Sequence, residues 1–138
     1  MRILIVDDDY TSRRILQRML GPLGEVYVAV DGEEAVRAFA AAWQEQEPFD
    51  LILLDILMPR LDGIEALKRI RSVESKLGAG DNEKVKVLMV SSQAERDIVM
   101  QSLEVGADWY LVKPIDKGKL MEELGRLDLL VAEPVLVE

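Results

Sequence analysis

Leu51-Ile52-Leu53-Leu54-Asp55-Ile56-Leu57-Met58-Pro59 opens with four consecutive branched apolar residues that run straight into an acid. A strand with one face in water alternates apolar and polar residues, whereas a strand covered on both faces does not. The run before Asp55 therefore reads as a buried strand of a parallel sheet. Similar runs lie on either side: Ile3-Leu4-Ile5-Val6 before Asp7 and Asp8, Val26 to Val30, Val87-Leu88-Met89-Val90 before Ser91, and Tyr110-Leu111-Val112 before Lys113.

Between these runs the apolar period changes to that of a helix. Ala35, Val36, Phe39, Ala40 and Trp43 form one stripe, and others are Ile15-Leu16-Met19-Leu20, Ile64-Leu67-Ile70 with Val73, Ile98-Val99-Leu103 and Leu120-Leu124-Leu127. Strand followed by helix, five times over, predicts an α/β fold: a parallel sheet with right-handed crossovers and helices on both faces. Parallel strands place their carboxyl ends along one edge. Asp7, Asp8, Asp55, Ser91 and Lys113 should meet there, and three carboxylates, a hydroxyl and an ammonium group can hold a divalent cation and a phosphoryl group. Thr11 or Ser12 is expected to cap the first helix and Asp62 the third, while Gly21, Gly78 and Gly106 mark helix stops. Leu77 to Lys84 reads as a loose connection without the phosphate-loop pattern.

The chain has 138 residues, 49% of them hydrophobic, enough for one domain to bury a core without disulfides or structural metal. It has no cysteine and no histidine, which excludes the common zinc sites, a histidine base and a phosphohistidine carrier role. A net charge of −9 argues against a nucleic-acid surface. Met1-Arg2 leads into a short apolar run and three acids, unlike a signal peptide, and the apolar runs are too short to span a membrane. A cytoplasmic protein without nucleic-acid or membrane partners is expected.

Ile3 to Asp9 with Arg13 and Leu16, Leu51 to Pro59 with Asp62-Gly63, Val90-Ser91-Ser92, and Gly106-Ala107-Asp108 leading to Tyr110-Leu111-Val112-Lys113-Pro114 together resemble the receiver domain of two-component response regulators, including chemotaxis regulators. The resemblance covers residues 1–127. It implies a flavodoxin-like, doubly wound five-stranded sheet, (βα)5, in the order 2-1-3-4-5. It makes Asp55 the phosphoacceptor, with Mg²⁺ held by Asp8, by Asp7 through water, by Asp55 and by the Leu57 carbonyl. Lys113 and Ser91 would contact the phosphoryl oxygens, Ser91 and Tyr110 would form the switch, and a cis bond before Pro114 would aim Lys113 inward. The implied protein is a phosphoacceptor that catalyses only its own phosphorylation and dephosphorylation. Its donor would be a histidine kinase or a histidine phosphotransfer protein, and its target would bind the fourth helix, fifth strand and fifth helix. Residues 128–138 are expected to be a short apolar tail without an output domain, so that the unit acts alone, in chemotaxis or in a phosphorelay.

Competing readings attach to several residues. Asp31, Asp62 and Asp116 are expected to be helix caps or turn formers, and Asp9 to suit the positive end of the first helix. Ser92 is the alternative to Ser91. Tyr110 is a switch or simply core, and Trp109 should pack and, by strand alternation, point away from Tyr110. Asp7-Asp8-Asp9-Tyr10-Thr11 also contains the D-x-D-x-T pattern of haloacid-dehalogenase-type phosphatases, with Asp7 as nucleophile. That reading lacks a second acidic pair after Lys113. A third possibility is a binding module that never accepts phosphate. Leu57 and Gln93 flank the expected path of water to an acyl phosphate, and an apolar Leu57 predicts slow self-dephosphorylation.

Overall fold

A computed structural model describes residues 1–58, 60–92 and 96–130. Pro59, Gln93 and residues 131–138, which carry the loop proline, the second water-path position and most of the apolar tail, lie outside the described residues. Strands β1 (Arg2–Val6), β2 (Glu25–Ala29), β3 (Leu51–Asp55), β4 (Lys86–Ser91) and β5 (Trp109–Val112) alternate with helices α1 (Tyr10–Leu20), α2 (Gly32–Gln44), α3 (Gly63–Lys76), α4 (Arg96–Val105) and α5 (Lys117–Arg126). All strand pairs are parallel and the order is β2-β1-β3-β4-β5, the expected flavodoxin-like sheet.

Successive residues of each central strand feed opposite layers. Leu4, Val6, Ile52, Leu54, Val87 and Met89 pack with Ala35, Phe39, Leu67 and Ile70 of α2 and α3. Ile3, Ile5, Leu51, Leu53, Leu88 and Val90 pack with Leu16, Leu20, Leu120 and Leu124 of α1 and α5. Burial of both faces is why β1, β3 and β4 carry no polar alternation. The two edge strands differ: Tyr27 and Val28 on β2 and Trp109 and Val112 on β5 are exposed, because each has a neighbour on one side only. The stripe on α1 is narrower than its spacing predicts. Leu16 and Leu20 are buried, but Ile15 is left on the surface.

Four helices begin on an aspartate. Asp9, Asp31, Asp62 and Asp116 accept hydrogen bonds from the backbone N–H groups of Ser12, Glu34, Glu65 and Lys119 at 2.8–2.9 Å. Asp9, not Thr11 or Ser12, therefore caps α1. Both hydroxyl residues already lie within its first turn, and Ser12 instead donates its hydroxyl to Asp9 at 2.8 Å. These two bonds hold the Asp9 carboxyl below its ordinary range, the side-chain bond from Ser12 most of all. Helix α4 stops at Gly106, whose φ of +116° is costly for a residue with a β-carbon.

Arg71, which belongs to no motif in the sequence, locks the start of β5 in place. Its guanidinium donates to the carbonyls of Val85 and Gly106, to Glu74 at 2.7 Å and to Asp108 at 3.2 Å. Glu74 is fully buried and accepts the Val85 N–H at 2.7 Å, and Asp108 accepts the Val87 N–H at 2.8 Å. A buried carboxylate with a full set of donors is tolerated, and here it ties α3 to the N-terminal ends of β4 and β5.

Candidate functional site

The carboxyl ends of β1, β3, β4 and β5 bring Asp7, Asp55, Ser91 and Lys113 together, as strand polarity requires. Asp7 is buried. Its Oδ1 accepts the Asp9 N–H at 2.9 Å, its Oδ2 accepts from Lys113 Nζ at 2.8 Å, and its carbonyl accepts from Arg13 at 2.8 Å. The same ammonium donates to Asp55 Oδ2 at 3.3 Å. Asp8 is exposed beside them, and one oxygen from each of Asp7, Asp8 and Asp55 lies within 4.8 Å of the others.

Burial pushes the Asp55 carboxyl up to about 6, and the charge of Asp7 adds to this, while Lys113 opposes it. Burial alone would lower the pKa of Lys113, but its bonds and charge contacts with Asp7 and Asp55 hold it above its ordinary value. Lys113 therefore remains a cation. On Asp55 the charge of Lys113 outweighs that of Asp7, so it is burial that keeps this carboxyl raised. An all-oxygen acidic cluster with an exposed member suits a hard divalent cation that keeps several waters. Both Asp7 oxygens are engaged at 2.8–2.9 Å and both Asp55 oxygens more loosely at 3.3 Å, so Asp8 is the freest donor of the three.

The loop after β3 is shaped by a close approach. A β-carbon on Gly63 would stand 2.2 Å from the Asp55 carbonyl oxygen, and the Gly63 N–H donates to the Ile56 carbonyl at 2.9 Å. Gly63 is thus required for space. The Leu57 N–H reaches Asp55 Oδ1 at 3.3 Å, while its side chain is 61% exposed. On the other side, Ser91 is buried at the end of β4 and its carbonyl accepts the Lys113 N–H at 2.8 Å. Ser92 is exposed. The Lys113–Pro114 bond is cis. Tyr110 is half-buried against the layer of α2 and α3, and Trp109 does not point away from it: the two rings lie 5.2 Å apart.

Residues 3–125 match the response regulator receiver domain family, and the chain belongs to it. It is 33% identical over 129 residues to chemotaxis protein CheY-3 of Vibrio cholerae, covering 92% of this chain and 91% of that protein. It is also 31% identical over 132 residues to probable histidine kinase 2 of Oryza sativa, covering 88% of this chain but only 12% of the kinase. Among solved structures, the fold is similar to that in the CheX-CheY-BeF3-Mg²⁺ complex of Borrelia burgdorferi, with a TM-score of 0.79 and 28% identity over 93% of this chain and 89% of that one. Two-component signalling is the setting of such domains. No helix among the described residues is long and apolar enough to cross a membrane.

Proposed function

We propose that the chain accepts one phosphoryl group on Asp55, with Mg²⁺, from a histidine kinase or histidine phosphotransfer protein. The observation that supports this most directly is the Lys113 ammonium shared between Asp7 and Asp55, beside a third carboxylate. In the transfer, an Asp55 oxygen attacks phosphorus in line and forms a new P–O bond. The bond to the donor breaks, and its electron pair leaves with the donor. Lys113 places positive charge against the phosphoryl oxygens, and the Ser91 hydroxyl donates to one of them. Asp8, Asp55 and the Leu57 carbonyl would hold the Mg²⁺ directly and Asp7 through water. When bound, the ion offsets the repulsion among the carboxylates and the charge of the incoming phosphoryl group.

The Borrelia structure is a complex with BeF3 and Mg²⁺, and the cluster of Asp7, Asp8 and Asp55 would take the same cation. The absence of a second acidic pair close behind Lys113 speaks against Asp7 as a phosphatase nucleophile. Ser91 and Tyr110 would carry the change to the surface of α4, β5 and α5, where a protein target binds. Acetyl phosphate with Mg²⁺ should add one phosphoryl group by intact mass. Labelling that persists in Asp55→Ala, or that is complete in a chelator, would refute the assignment.

A further inference from the structure

Adjacent residues of a pleated strand direct their side chains to opposite faces. Trp109 and Tyr110 are adjacent in β5, yet their ring centroids are 5.2 Å apart with the planes inclined by 36°. The open edge of the sheet makes this possible, since β5 pairs with β4 alone and a large ring can turn around its outer side. Both residues line a groove of about 360 Å³ beside α5, with Ile115, Lys119 and Glu123 among its other walls. Trp109 is 37% exposed, so much of its apolar surface gains nothing from burial. What it does have is the tyrosine ring.

We infer that Trp109 is a positioning residue for the Tyr110 switch, bracing the tyrosine ring where it now lies. The inference rests on the reading of Asp55 as phosphoryl acceptor. Inclined aromatic rings at this separation attract each other beyond their shared buried area. Tyr110 cannot move deeper toward the core without parting from the indole, so the contact favours the present conformer over the displaced one. A ligand or modification then selects the displaced conformer against that contact. Movement of Tyr110 must also change the surroundings of an indole that is already half in water.

The sequence has two tryptophans, so Trp43→Phe leaves Trp109 as the sole indole emitter. Full-length Trp43→Phe protein is treated with Mg²⁺ and acetyl phosphate, and intact mass and emission are recorded on the same samples. The emission should shift in step with the singly phosphorylated species, reverse as that species decays, and stay constant in Asp55→Asn. Amide chemical shifts of α4 provide the second measurement, with Trp109→Phe as the control that keeps an aromatic ring at this position. In unphosphorylated Trp109→Leu they should lie part-way toward the phosphorylated positions, reflecting about threefold to tenfold more of the switched state, while Trp109→Phe should stay near the parent. Phosphorylated protein with unchanged emission, or Trp109→Leu with α4 amides identical to the parent in both states, overturns the bracing role and leaves the acceptor reading standing. Protein that gains no phosphoryl group on Asp55 overturns both.

Discussion

Lys113 donates to the buried carboxylate of Asp7 across 2.8 Å, joining the ends of β5 and β1 although 106 residues separate them. Asp55 is the more distant partner at 3.3 Å. The ammonium thus rests on Asp7 while staying within reach of Asp55, where the proposed phosphoryl group would meet it. Lys113→Ala leaves Asp7 buried and without its cation, a change that costs several kcal/mol in fully buried pairs and about 2 kcal/mol at this partly exposed lysine. Urea unfolding in chelator measures it. Where some labelling persists in the variant, the response of the α4 and α5 surface to it should still be diminished.

Asp55 makes the metal-free protein sensitive to pH. Its carboxyl, at about 6 in the folded protein, binds a proton more tightly than the ordinary 3.8 of an unfolded chain. The stability from this group is fully present below 3.8 and is lost as pH rises through about 6. At neutral pH the ionised group then costs up to about 3 kcal/mol, at about 1.4 kcal/mol for each pH unit between the two values. Asp55→Asn should therefore be more stable than the parent at pH 7.5 in chelator, and the two should converge near pH 4. Urea midpoints at the two pH values provide the check, and added Mg²⁺ should narrow the gap at the higher one.

Gly63→Ala would force a methyl group onto the Asp55 carbonyl, where only 2.2 Å is available. Backbone sits on both sides of the contact, so no flexible side chain can yield. A loss of at least about 2 kcal/mol is expected, in the range of overpacked sites, with slower phosphorylation because Asp55 itself is displaced. Denaturant midpoints and the rate of mass gain with acetyl phosphate test the two effects separately.

If Asp55 carries the proposed acyl phosphate, Leu57 should lengthen its lifetime. The Leu57 side chain offers no hydrogen bond to an attacking water, the residue is 61% exposed, and its N–H lies 3.3 Å from Asp55 Oδ1. An amide there can hold water near phosphorus. Leu57→Asn should shorten the lifetime severalfold, measured as decay of phosphorylated protein after donor removal. Decay that is unchanged or slower in the variant would show that Leu57 does not protect the phosphoryl group.

Phosphorylation should alter hydrogen exchange over α4, β5 and α5, not only around Asp55. A bias of a few kcal/mol between two existing conformers suffices for such a shift. Exchange changes confined to the neighbourhood of Asp55 would contradict the proposed target surface.

Strand polarity and apolar runs, both local properties of the chain, determined the sheet, the gathering of Asp7, Asp8, Asp55, Ser91 and Lys113 at one edge, and the helix starts at Asp31, Asp62 and Asp116. Periodicity and end signals act over a few residues and need no knowledge of distant partners. Tertiary structure decided what depends on distance between remote segments. It placed Lys113 nearer to Asp7 than to Asp55, made Gly63 a matter of space, and joined Arg71 to Glu74, Asp108 and two carbonyls. It also turned the Trp109 ring against Tyr110, because strand alternation describes the direction in which a side chain leaves the backbone, and a long side chain at an open sheet edge is free to depart from it.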